Sequence, residues 1–172
     1  LLVSNLSLAQ NVLVTGSNRG IGYEFVSQYA ERGWSVIATS RSPHDDVELI
    51  NLAEKYSNIT IEKLDVTSQE DIDNLVDKLS GQSIDLLINN AGLLGDRKKQ
   101  QWGNIDKSTF DQLMDVNVFG PLKISEALSE NVIGSDKKQI VVLSSIIGSI
   151  EMRTSPTPLP TLAISKTAVN MA

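Results

Sequence analysis

Thr15-Gly16-Ser17-Asn18-Arg19-Gly20-Ile21-Gly22 brings three glycines and an arginine together directly after the apolar run Val12-Leu13-Val14. Glycine lets a backbone turn sharply and come close to a charged group, and the free amides of a following helix favour negative charge. The turn therefore suits a pyrophosphate, although a helix entry that uses glycine only for tight packing would read alike. Its spacing departs from GxGxxG and follows TGxxxGIG. Residue types exclude other chemistry. There is no cysteine, hence no thiolate zinc site, no cysteine nucleophile and no disulfide framework. A single histidine, His44, rules out a multi-histidine metal site and argues against a histidine-carboxylate triad. No metal ligand set is expected, and His44, following Pro43 in a polar turn, is expected to be exposed and idle.

The elements that must carry this turn are legible from composition and period. With 172 residues, 41% apolar and 21% charged, the chain fits one soluble globular domain over residues 1–172. Fifteen basic against twenty-one acidic residues, a formal charge of −6, speak against nucleic acid or an anionic membrane as partner. Residues 1–10 carry no basic leader, and no apolar run nears the roughly 20 residues of a membrane span, so a cytoplasmic protein is expected. Short β-branched runs at 11–15, 35–39, 59–64, 84–89 and 139–144 alternate with helical periodicity at 21–32, 46–56, 68–79 and 107–131. Thr67-Ser68-Gln69-Glu70 opens the third helix with a capping pattern. Strands that are apolar throughout suit a parallel sheet covered on both faces. The expected fold is α/β, a Rossmann-like doubly wound sheet with its ligand beyond the carboxyl ends of the strands.

Those strand ends carry further motifs: Asp65-Val66 after the third, Asn89-Asn90-Ala91-Gly92 after the fourth, Ser144-Ser145 after the fifth. Asn117 lies in the long helix and Lys166 follows in the last one. In this order they make the chain resemble the short-chain dehydrogenase/reductase family over nearly its whole length. The wording around Asn18-Arg19-Gly20, Asn117-Val118-Phe119-Gly120-Pro121 and Ser165-Lys166-Thr167-Ala168 resembles the carbonyl reductase branch that includes sniffer and bacterial C-factor proteins. The resemblance implies that Gly16, Gly20 and Gly22, with Asn18, Arg19 and Ile21, form the pyrophosphate turn. Asp65 and Val66 would border the adenine, and Asn90, Ala91 and Gly92 would line the adenosine ribose side. An acid after the second strand would bind a free ribose 2′-hydroxyl, but that region reads Thr39-Ser40-Arg41. Arg41 with Arg19 can fork around a 2′-phosphate, which favours NADP(H) over NAD(H), unless both are solvated surface charges.

In the family, a tyrosine gives its proton to the carbonyl oxygen and a lysine four residues later lowers the tyrosine pKa and holds the nicotinamide ribose. A serine orients the substrate oxygen, and a helix asparagine supports a water relay. Asn117, Ser145 and Lys166 fit three of these positions, Ser145 being preferred to Ser144 because Gly148 follows it at the family spacing. Leu162 stands at the fourth. Tyr23, Tyr29 and Tyr56 belong to upstream helices, and Thr161 is turned about 100° away and carries a far weaker acid than a phenol. Slow hydride transfer with water or Ser145 as acid is expected for a small carbonyl or alcohol substrate. The alternatives are an impaired NADP(H)-binding sensor or dimer partner, and a non-functional fragment. Family members continue past the position of Ala172, so C-terminal elements are expected to be missing, the fifth strand to be an uncovered edge and the protein to be marginally stable. A homodimer through the long and final helices is the family's common assembly. The stretch 93–104, with Arg97-Lys98-Lys99 and Trp102, reads as a solvated loop or as a docking or substrate rim. Pro156, Pro158 and Pro160 stiffen the approach to the last helix, with Pro160 suited to its first turn.

Overall fold

The structure, a computed structural model, describes residues 10–152 and 155–171. The expectations for residues 1–9 therefore lie outside it. Five parallel strands, β1 (Asn11–Val14), β2 (Ser35–Ser40), β3 (Ile59–Lys63), β4 (Leu86–Asn89) and β5 (Gln139–Val142), form one sheet in the order β3-β2-β1-β4-β5. Successive strand side chains face opposite sides, and each side has its own core. Leu13, Ile37 and Leu87 meet α3 (Gln69–Lys78), α5 (Gly120–Ala127) and α6 (Ser129–Ile133) through Leu75, Ile124, Leu128 and Val132. Val12, Val14, Val36 and Ile88 meet α1 (Gly20–Glu31) and α2 (Val47–Lys55) through Val26, Ala30, Leu49 and Leu52. The doubly wound sheet expected from the apolar strands is what forms.

Because β1 pairs with β2 on one side and β4 on the other, Val14 faces both Ala38 and Ile88 in register. The winding reverses between β1 and β4, so the loops that leave these two strands diverge and open a crevice. The far edge of β5 pairs with no strand among the described residues, and Ile140 and Val141 are each 43% exposed. Among the described residues no helix is long and apolar enough to cross a membrane.

The helix expected over 107–131 does not run through. It is α4 (Lys107–Met114), a π segment (Asp115–Phe119), then α5 and α6. Gly120 N–H bonds the carbonyl of Asp115, five residues back, and Pro121 has no N–H to give the carbonyl of Asn117 four residues back. Gly120 is also packed on Val66, where a Cβ would come within 2.9 Å of Val66 Cγ2. The last helix, α7 (Pro160–Val169), starts at Pro160 as its proline suggests.

Ser68 caps α3 by accepting from Asp71 N–H at 3.2 Å. The Asp71 carboxylate in turn accepts from Lys63 Nζ at 2.8 Å and from Asp65 N–H at 2.9 Å, fixing the chain where β3 ends. The Lys63 ammonium, helped by the Asp65 amide, holds the Asp71 carboxyl below its ordinary value of 3.8. A carboxyl so depressed contributes stability above that value, which is lost as pH falls through the folded-state value. Chemical denaturation is therefore expected to find the wild type weakening from about pH 4 downward, with a shallower acid limb for Asp71→Asn; identical limbs would refute the role.

Candidate functional site

The crevice beyond β1 and β4 is a cleft of about 580 Å³. Gly16, Asn18, Arg19, Gly20, Ile21 and Gly22 line it from β1, Arg41 from β2, Asp65 and Val66 from β3, and Asn90, Ala91 and Gly92 from β4. The turn is held from across the crevice. Thr15 Oγ1 accepts from the amides of Asn90 and Ala91, both at 3.0 Å, and Asn90 Nδ2 donates to the carbonyls of Thr15 and Gly16 at 2.9 and 3.0 Å. Asn90 thus shapes the glycine turn as well as lining the cleft. Gly16 has φ +67°, and a Cβ there would lie 2.9 Å from Ala91 Cα. A Cβ on Gly22 would lie 2.2 Å from the Gly16 carbonyl oxygen. No side chain caps α1 and its first turn holds no acid, so its first amides keep their capacity for an anion.

At the cleft's outer corner Arg19 and Arg41 are exposed. Neither forms an ion pair among the described residues, whose salt bridges join other groups. Asp46, which sequence reading took only as a helix start, also lines this corner and accepts from Ser40 Oγ and Asn18 Nδ2. Asp65 turns its carboxylate to Thr67, accepting from the amide at 2.9 Å and the hydroxyl at 2.7 Å.

At the Gly92 end the structure brings Asn117 and Lys166 together. A Cβ on Gly92 would lie 3.5 Å from Asn117 Oδ1 and 3.8 Å from Lys166 Nζ. Buried Asn117 accepts from Leu93 N–H at 2.7 Å and donates to the Leu93 carbonyl and to Ser165 Oγ at 3.0 and 3.1 Å. Lys166 Nζ donates to the Leu143 carbonyl at 2.8 Å. No carboxylate partners it among the described residues, and burial pushes its pKa down. Ser145 stands two residues beyond Leu143, exposed, its Oγ accepting from Ile147 N–H at 3.3 Å. Ser144 is the serine that touches the lysine segment, donating to the Lys166 carbonyl at 3.2 Å. Gly148 lets this turn lie on α7, since a Cβ there would be 2.6 Å from the Lys166 carbonyl carbon. Tyr23, Tyr29 and Tyr56 pack against the core under α1 and α2, so no phenol substitutes for Leu162.

Gln100 was missed by sequence reading. Fully buried, it accepts from Leu162 N–H at 3.0 Å and donates to the carbonyls of Leu94 and Asp96 at 2.8 and 3.3 Å. It caps the first turn of α7 from a loop 62 residues away, a pairing for which the sequence holds no local signal. Gln100→Leu removes the side-chain partner of the Leu162 amide and of the Leu94 and Asp96 carbonyls and is expected to cost about 1–3 kcal/mol in chemical denaturation. Wild-type stability in that variant would show the contacts to be incidental. Arg97, Lys98, Lys99 and His44 are exposed. Trp102, 74% exposed, borders a second hollow with Pro156, Pro160 and Ile164 on the outward side of α7.

The family model for short chain dehydrogenase matches residues 10–171. The short chain dehydrogenase gsfK of Penicillium aethiopicum is 32% identical over 92% of this chain and 66% of its own length. The (+)-neomenthol dehydrogenase of Arabidopsis thaliana is 29% identical over 81% of this chain and 54% of its own. The chain thus spans about half to two thirds of these relatives. A carbonyl reductase from Pseudomonas aeruginosa in complex with NADP superposes with a TM-score of 0.84 at 28% identity, covering 94% of this chain and 72% of that one.

Proposed function

The chain belongs to the short-chain dehydrogenase family, and from that premise we propose that it binds NADP(H), in preference to NAD(H), and slowly exchanges hydride with a small carbonyl or alcohol substrate. The observation that carries this reading is the glycine cradle. Because Gly22 carries no Cβ, which would strike the Gly16 carbonyl at 2.2 Å, the glycine turn packs directly on the first turn of α1 and sets its backbone beside the uncapped amides of that helix, a suitable seat for a phosphate. Bound in the cleft, the nicotinamide would supply the hydride. The amides of α1 hold the pyrophosphate, Asp65 and Val66 flank the adenine, and Arg19 and Arg41 meet a 2′-phosphate. Lys166 hydrogen-bonds the nicotinamide ribose, held near Gly92 by its bond to Leu143. The Ser145 hydroxyl donates to the substrate oxygen. With Leu162 in place of a phenol, the proton comes from water or from Ser145, a much weaker acid.

Calorimetric titration of the 172-residue chain with NADPH and NADH tests the binding step. Micromolar affinity, tighter for NADPH, is the expected result; a folded chain that binds neither would overturn the proposal. Leu162 also favours a second reading, an NADP(H)-binding protein that senses the cofactor or pairs with another copy through α4, α5 and α7. That reading requires tight NADPH binding with no oxidation of it by any aldehyde or ketone offered, and a dimer by sedimentation.

A further inference from the structure

The corner of the cleft flanked by Arg19 and Arg41 also holds a carboxylate. Asp46, just ahead of α2, accepts from Ser40 Oγ at the end of β2 and from Asn18 Nδ2 of the glycine turn, the latter at 3.2 Å. One side chain therefore ties the turn after β1 to the connection after β2, and all three residues line the cleft. Two physical consequences follow. The Ser40 hydroxyl spends its only proton on Asp46, so toward a ligand it offers lone pairs and no donor. The Asp46 charge is not neutralised by an ion pair, since neither arginine bridges to it among the described residues. A ribose 2′-hydroxyl can donate to such a corner. A 2′-phosphate is drawn by the arginines but opposed by the carboxylate and by the Ser40 lone pairs.

We propose that Asp46 is a specificity-determining residue, which with Ser40 favours a free 2′-hydroxyl and reduces the preference for a 2′-phosphate that Arg19 and Arg41 create. The chain then discriminates only weakly between the two nicotinamide cofactors. This inference rests on the nucleotide-binding reading above.

Adenosine 2′,5′-bisphosphate and 5′-AMP differ only in the 2′ group, and titrating both into the intact chain at low ionic strength isolates that group from the rest of the cofactor. The wild type is expected to prefer the bisphosphate by less than about tenfold. Asp46→Asn, which keeps the shape and removes the charge, is expected to widen that preference by roughly 5–10-fold, mainly through tighter bisphosphate binding. Ser40→Ala is expected to weaken AMP more than the bisphosphate. Should Asp46→Asn lower the melting temperature below the titration temperature, Asp46→Ser removes the same charge and is held to the same expectation. If both nucleotides bind but the charge-free variants leave the preference unchanged or narrow it, the inference is overturned and the cofactor reading stands. If the wild type binds neither nucleotide nor NADPH, the cofactor reading fails and the inference falls with it.

Discussion

Leu162→Tyr is expected to speed hydride transfer by about 10²–10⁴-fold, the usual contribution of a positioned general acid. The position is four residues before Lys166 and on the same face of α7. Its backbone is fixed independently of its side chain, by Gln100 on the Leu162 amide at 3.0 Å and by Ser165 Oγ on the Leu162 carbonyl at 2.8 Å. A tyrosine inherits both bonds. Its phenol is a stronger acid than water or Ser145, and the Lys166 ammonium, unpaired with any carboxylate among the described residues, would stabilise the phenolate left after proton donation. The measurement is single-turnover loss of NADPH absorbance with benzaldehyde and with cyclohexanone, wild type against variant. If the variant binds NADPH as the wild type does and gains no rate with either, proton donation is not what limits this chain.

The second large effect is a loss. Gly22→Ala puts a methyl carbon 2.2 Å from the Gly16 carbonyl oxygen and 2.4 Å from Asn90 Nδ2, the two atoms whose 3.0 Å hydrogen bond closes the turn. Neither can retreat without the other, because Asn90 also holds Thr15. Overpacking of this kind costs up to about 3 kcal/mol; the free turn relieves it by opening, and binding must restore the closed turn, so up to roughly 100-fold in affinity is lost. NADPH affinity should fall by that factor in calorimetry. Gly20→Ala is the contrasting control. A Cβ there meets nothing within 4 Å, and only its φ of +60° resists the change, a strain of about 1–2 kcal/mol. A Gly22→Ala chain that binds as tightly as Gly20→Ala would show that the cleft does not need the close approach.

What sequence reading captured was local. Gly16, Gly20 and Gly22 announce themselves because each needs something only glycine supplies, and Val12-Leu13-Val14 reads as a strand covered on both sides because all three residues are buried. The helix over 107–131 went wrong for a physical reason. One extra residue in a turn leaves the apolar period nearly intact, and the break at Asn117 comes from bonding that period does not register, although Pro121 was a visible sign of it. Gln100 and Asp46 were unreadable because their roles lie in partners far along the chain: Leu162 for the one, Asn18 for the other. Spacing from Gly148 singles out Ser145 in the sequence, whereas the contact of Ser144 with the Lys166 carbonyl depends on how the turn lies across α7.

The Gln100 tie has a dynamic corollary. A loop fastened to a helix by one buried amide opens as a unit with that fastening, since breaking either of its ends strands polar groups on both. The Leu162 amide proton, bonded to the Gln100 side chain, is thus a clock for how often the segment around Gln100 lifts off the start of α7. Deuterium uptake at this one backbone position times that opening, without any ligand having to be known.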